Sequence, residues 1–369
     1  MLLYLTDSLI VDKADAEYEG ILNSAKYLAL AYMEKSHLLR GDYNVLEWLS
    51  RQFADIDQTT CKVYRQLEKC YSTFTIPNFI RIYVQVTRSM PHTDCIKDRN
   101  GIVVRPICYK YFYESSKIQK MVVVGEALHD LKFYKFITER YMAVHNINAL
   151  LEINCENGGG TGVAQTTRKY KDKHCMAASI IDSDSKYKGH EAADGTTRCI
   201  CEKEWLSYNL TNEIFFSKIL EVQEIENLIP KGYIDRIDIW TGQNQENKNV
   251  YDRLFKGDTS DCILPYYDLK NGLVKDNNMW RDEKYVGYVL ECCKCLGLVY
   301  TKEDIETFPN GKVICKGLHK GLLKKTLECI EQGKLDDVPL DSLKPYQIQG
   351  WRDVAVFLLN MGCVEKKEI

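Results

Sequence analysis

Between residues 14 and 90 the apolar positions recur at three- and four-residue spacing. Tyr18, Ile21, Leu22, Ala25, Leu28, Ala29 and Tyr32 form one stripe, which predicts a helix. The same spacing predicts helices near 45–53 and 63–71. Segment 91–118 is mixed and is punctuated by Pro91, Asn100-Gly101 and Pro106; Asp98-Arg99-Asn100-Gly101 followed by Ile102-Val103-Val104 reads as a turn into a strand.

The pattern changes at 119. Met121-Val122-Val123-Val124 is a short β-branched run that ends in Gly125-Glu126, and Leu131, Tyr134, Ile137 and Tyr141 then mark a helix. Further strands are expected at 146–153, at 176–181 and at 214–222, with a short helix at 165–173. Asn157-Gly158-Gly159-Gly160-Thr161-Gly162 reads as a loop and 183–198 as a second, polar one. Short apolar strands alternating with helices imply βαβ units and a parallel sheet. From 230 onward the signal is weaker, with amphipathic helices expected at 284–298, 321–332 and 351–361. The expected fold is therefore α/β: a parallel sheet flanked by helices over 119–230, a mainly helical N-terminal region over 1–118 and a mainly helical C-terminal region over 231–369.

Composition narrows the class without naming a chemistry. At ~100–200 residues per domain, 369 residues make two to three units. Apolar residues make up 45% and charged residues 27%, which excludes disordered and fibrous chains. The net charge of −3 gives no basic field, so nucleic acid would have to be met by local patches or metal ions. No stretch approaches the ~18–20 apolar residues of a membrane span. The 15 cysteines are odd in number and scattered, which fits reduced thiols in a cytoplasmic protein better than a disulfide scaffold.

The chemistry-bearing pattern is Glu126, Asp130 and then Asp182-Ser183-Asp184. Glu126 and the aspartate pair each follow a run that reads as a buried strand, and in an open α/β sheet ligands bind outside the carboxyl ends of strands. Carboxylates brought together there repel unless a cation lies between them. Oxygen donors suit Mg²⁺ or Mn²⁺. A D-x-D pair continuing a strand would point both carboxylates to one side. Lys186 and Lys188 follow directly and are placed to neutralise phosphates. Taken alone, Asp182 and Asp184 are also what a turn or a helix cap uses. The glycine loop lacks the spacing of a P-loop, so this chain is not expected to bind ATP by one. Cys292-Cys293-x-Cys295 falls inside a helical pattern that would spread the thiols over different faces, so buried thiols are expected there rather than zinc.

These residues resemble the Toprim domain shared by topoisomerases, bacterial-type primases and the overcoming-lysogenization-defect nucleases. Gly125-Glu126 after Val122–Val124, and Asp182-Ser183-Asp184 after Ile180-Ile181, stand in that family's order. Glu126-Ala127-Leu128-His129-Asp130 is similar to the E-G-x-x-D form of the phage-defence nucleases, with Ala127 in place of glycine. Glu224-Ile225-Glu226-Asn227-Leu228 resembles their E-I-E-N-Y segment, with Leu228 in place of tyrosine. The resemblance covers roughly 119–230.

It implies a metal-dependent nuclease, with Glu126, Asp182 and Asp184 catalytic, and with Glu126, Asp130, Asp182, Asp184 and Glu226 around Mg²⁺ or Mn²⁺. Lys186 and Lys188 would meet the nucleic acid substrate, DNA or RNA. It also implies an anti-phage defence effector restrained by a separate ABC-type ATPase. The amphipathic helices expected outside 119–230 suit burial against another chain, so a homo-oligomer is expected as well. Two other readings stay open: a catalytically silent interaction subunit that keeps the fold, and a relative of the primases or topoisomerases.

Overall fold

The computed structural model describes residues 1–73, 78–89, 96–97, 101–173, 175–191, 193–206, 214–257, 260–336 and 343–366. The chain divides into two compact units. The first joins 1–180, 201–218 and 353–369; the second joins 181–200 and 219–352. The expected borders at 118 and 230 coincide with neither.

The first unit opens with a five-stranded sheet. Strands β1 (Leu2–Leu5), β2 (Leu38–Gly41), β3 (Ile82–Thr87), β4 (Ile96–Lys97) and β5 (Val103–Cys108) lie in the order β2-β1-β3-β5-β4. All pairs are parallel except β4 with β5. Helices α1 (Tyr18–Met33), α2 (Tyr43–Gln52) and α3 (Gln58–Lys69) form as the periodicity predicts, and every residue of the α1 stripe is buried. Asp57 starts α3 by accepting from the backbone N–H groups of Thr59 and Thr60, each at 3.1 Å. The N-terminal 118 residues are therefore α/β and not mainly helical. The expectation failed because β1 and β2 are four residues long and buried on both faces. Such runs carry no polar alternation, and periodicity cannot separate them from helix. The strand expected after Gly101 is β5; the turn at Asp98–Asn100 lies outside the described residues.

A second sheet of the same unit contains β6 (Val122–Gly125), β8 (Asn154–Asn157), β9 (Ala177–Ile181) and β10 (Phe215–Ile219), in the order β10-β9-β6-β8. Between β6 and β8 comes β7 (Ala149–Leu151), which pairs elsewhere. Strand β6 runs parallel to both β8 and β9. Position in the sheet follows composition. Central β9 is Ala-Ala-Ser-Ile-Ile, buried throughout, whereas edge strand β8 is the polar Asn-Cys-Glu-Asn. The one hydroxyl buried in β9, Ser179, is satisfied by Thr167 at 2.8 Å. Thr167 lies on α5 (Val163–Asp172), and α4 (Leu128–Val144) is the crossover helix after β6. Helix α6 (Thr197–Leu206) precedes β10.

The second unit is mainly helical. It holds α7 (Lys231–Arg236), α8 (Gln243–Lys256), α9 (Ser260–Ile263), α10 (Glu283–Cys295), α11 (Lys302–Glu306) and α12 (Leu322–Glu331). It also holds the antiparallel pair of β11 (Gly272–Val274) and β12 (Val313–Lys316). The polar stretch 243–249 is the first half of α8. On α10, Cys292 and Cys293 are buried. Helix α13 (Pro345–Gly362) ends in the first unit, where β13 (Cys363–Glu365) pairs antiparallel with β7. There Asn360 Oδ1 accepts from the N–H groups of Arg81 and Ile82 at 2.6 and 2.8 Å, which satisfies the start of β3. Among the described residues no helix is long and apolar enough to cross a membrane.

His37, just before β2, is 1% exposed, and its Nε2 lies 2.9 Å from the carbonyl of Gln119. Burial holds its imidazole well below the ordinary value, so the folded protein keeps it neutral. The unfolded chain takes up that proton below about pH 6.5, so stability is complete above this pH and falls as pH drops through it. The thermal midpoint should decline between pH 7.5 and 5. The decline should be shallower in His37→Gln, whose amide can still donate to Gln119.

Candidate functional site

Parallel strands β6 and β9 end at the same edge of their sheet, with Val124 opposite Ser179. Glu126 follows β6 directly after Gly125, and Asp182 follows β9 directly.

In the first unit, the glycine loop folds over the end of β6. Gly158 N–H donates to the Gly125 carbonyl at 2.8 Å, and Gly159 and Gly160 both donate to that of Glu126, at 3.0 and 3.2 Å. A Cβ at Gly158 would stand 2.8 Å from the Gly125 oxygen, so only glycine permits this approach. The loop is thus a backbone clasp on Glu126, in keeping with the tight turn expected from sequence. Burial pushes the Cys201 thiol up to about 12, and the Glu126 charge adds to the effect. Asp130 serves α4: its Oδ2 accepts from Ala127 N–H at 2.9 Å, the hydrogen bond of a helix start.

The second unit collects the remaining carboxylates. Asp182 is 9% exposed and its Oδ1 accepts from Ile225 N–H at 3.1 Å. Strand β9 stops at Ile181, and Asp184 has a φ of 55°, in the left-handed region. The alternation that would align both aspartates therefore does not extend to Asp184, a correction to the sequence argument. Asp184 is instead held by its own N–H on the Gln223 carbonyl at 3.1 Å. Burial raises its carboxyl against the opposing pull of Lys186, Lys270 and Arg198.

The Glu224-Ile225-Glu226-Asn227 segment is a short turn pinned by its asparagine. Asn227 Oδ1 accepts from Glu224 N–H at 3.0 Å, and Nδ2 donates to the carbonyls of Leu264 and Tyr267 at 2.7 and 2.8 Å. Gln347 Nε2 donates to the Asn227 and Ile229 carbonyls at 3.0 and 2.9 Å. This bonding draws the chain after Tyr267 onto the two glutamates and delivers Lys270. The Lys270 ammonium lies 3.2 Å from Glu226 and 3.4 Å from Glu224. Burial acts to lower that ammonium, but the charges of Glu226, Glu224 and Asp182 outweigh it and hold it above its ordinary value. Glu224 is pushed up to about 7, by burial first and then by Glu226 and Asp268, against Lys270 and Lys186.

Glu224 and Glu226 thus pair with Lys270, and Asp182 acts on the same ammonium through its charge. Neither Lys270 nor the part played by Glu224 was read from sequence. Of the two loop lysines, Lys188 is exposed to solvent, whereas Lys186 is half-buried and faces Asp184 and Glu224. The loop itself is well built: Tyr187 donates to the Asp282 carboxylate, and its phenol is pushed up to about 12, chiefly by that bond.

All donors of the cluster are oxygens, which is the chemistry Mg²⁺ and Mn²⁺ favour. Among the described residues, no three acidic, histidine or cysteine side chains form a ready ligand set. The centre between the glutamates is taken by an ammonium. Comparison with known proteins finds no matching family model, no matching curated protein and no matching solved structure.

Removing this ammonium leaves two buried carboxylates without their cation. Lys270→Met should lower stability by about 2 kcal/mol; a full buried-pair cost is larger, but the lysine side chain is 31% exposed and therefore partly screened. Urea unfolding of both proteins, compared at unchanged m-value, checks this.

Proposed function

We propose that the chain is a metal-dependent nuclease acting on phosphodiester bonds. The observation that carries the reading is the gathering of Glu224 and Glu226 on the Lys270 ammonium, on which the charge of Asp182 also acts, beside the end of a parallel strand. Asp182, Asp184 and Glu226 would hold the ion, and Glu126 joins them by resemblance to the Toprim order. Asp130 is left to its capping bond on α4. A bound divalent ion would supply Lewis-acid polarisation of the phosphate and a water of lowered pKa. The residues themselves orient and neutralise. Ile225 N–H fixes the rotamer of Asp182, the Asn227 bonding holds Glu224 and Glu226 in place, and Lys186 supplies positive charge at the rim. A defence role with restraint by a separate ATPase belongs to the same proposal and rests on the resemblance alone; self-association rests on the amphipathic helices outside 119–230.

The Lys270 ammonium favours a second reading, a silent interaction subunit in which lysine has replaced the ion as counter-charge.

Plasmid DNA and total RNA incubated with Mg²⁺, Mn²⁺ or EDTA separate the two. The nuclease reading expects cleavage that depends on the added ion and falls at least a hundredfold in Glu126→Gln and Asp182→Asn, with both variants folded by circular dichroism. Full activity of Asp182→Asn in Mg²⁺ would refute it, and no cleavage under any condition would favour the silent subunit.

A further inference from the structure

Within the second unit, a cavity of about 460 Å³ opens beside the carboxylate cluster, with Lys186 and Asp268 belonging to both. Its size falls in the range of small-molecule sites. Its lining includes Lys186, Gln223, Lys275, Asp276, Asn278 and Asn310.

Lys275 is the group that needs an explanation. It is 3% exposed, and its ammonium lies 4.0 Å from the centre of the Trp280 ring. No carboxylate stands within ion-pair distance of it among the described residues, and burial lowers its pKa. A buried lysine set against a ring, with the Glu306 carboxylate acting on it only from beyond ion-pair distance, is costly to keep charged, and an anion entering the cavity would relieve that cost.

The polar groups around it are divided. Asp268 Oδ1 is already engaged by the backbone of Lys270 and Asn271, and Asp276 Oδ1 by Asn278 N–H. Asn310 uses its Oδ1 on Asn277 N–H, which leaves its Nδ2 donors, the Asn278 amide and the second Asp276 oxygen to face a ligand. Lys186 is steadied by the Gln223 carboxamide, turned to accept from it at 3.0 Å. Tyr266 and the largely buried Tyr285 add aromatic side chains to the lining.

Cations for phosphate, amides and a carboxylate for the donor and acceptor edge of a base, and aromatic surface for stacking occur together in one cavity. We infer that this cavity binds a nucleoside phosphate, either a free nucleotide or one nucleotide unit of a nucleic-acid strand. The inference stands on the cavity and does not depend on cleavage.

The test is equilibrium binding to the full chain in EDTA, read by tryptophan fluorescence and by calorimetry, so that turnover plays no part. The probes are AMP, GMP, adenosine, inorganic phosphate and a 5′-phosphorylated pentanucleotide. Saturable binding of AMP or GMP is expected at about 1 mM or tighter, with adenosine and inorganic phosphate each at least tenfold weaker. Lys275→Met should weaken nucleotide binding at least tenfold, and Asn310→Ala, a milder change, severalfold. Melting curves of both variants establish that they fold. A pentanucleotide that binds tenfold tighter than AMP identifies a strand site, and equal affinity identifies a free-nucleotide site; either supports the inference. Absence of saturable nucleotide binding, or affinity unchanged in folded Lys275→Met, overturns it.

Discussion

The carboxamide of Asn227 is the constraint on which the candidate site depends. One buried side chain closes the turn that presents Glu224 and Glu226, and also anchors the carbonyls of Leu264 and Tyr267. Those bonds join two stretches that are distant in sequence, and they satisfy backbone groups that burial would otherwise leave unpaired, at a cost of about 1–3 kcal/mol each. Gln347 and Trp351 repeat the device from α13, donating to the carbonyls of Asn227, Ile229 and Leu228. Polar side chains rather than apolar packing therefore decide where the glutamates stand. A hydrophobic contact would tolerate small slips that a three-bond carboxamide does not.

Holding carboxylates in place is a separate matter from making them tolerable. Glu226 and Asp268 lie close enough to repel Glu224, and burial removes the water that would screen them. The structure meets this with Lys270, whose ammonium is held charged by Glu226, Glu224 and Asp182. Glu224 is still pushed up to about 7, by burial first, although Lys186 adds its charge to that of Lys270.

The second unit treats two of its lysines in opposite ways. Lys270 is matched with carboxylates, while Lys275 is set against an aromatic ring at the wall of a cavity. The sheet of the first unit handles buried polarity by a third route. Ser179 on β9 is paired with Thr167 on α5, and the glycine loop turns its N–H groups onto the end of β6.

Much of this was readable in the chain. The α1 stripe, the apolar runs that became β6 and β9, the glycine loop between them and the carboxylates that follow them are all local, and periodicity and spacing report local facts directly. Other features had no local signature. Strands β1 and β2 are four-residue runs buried on both faces, where alternation disappears. Asp184 turns left-handed just past a strand end, where the two-residue repeat stops applying. Lys270 lies 44 residues beyond Glu226 (270 − 226), and nothing in the residues around it distinguishes it from a solvated lysine. Its place is set by hydrogen bonds from Asn227 to carbonyls that precede it, and backbone carbonyls look alike in any sequence. The order of the acidic groups is written in the chain. Which cation they face is decided by tertiary contacts, because charge pairing depends on distance in space and not on distance along the backbone.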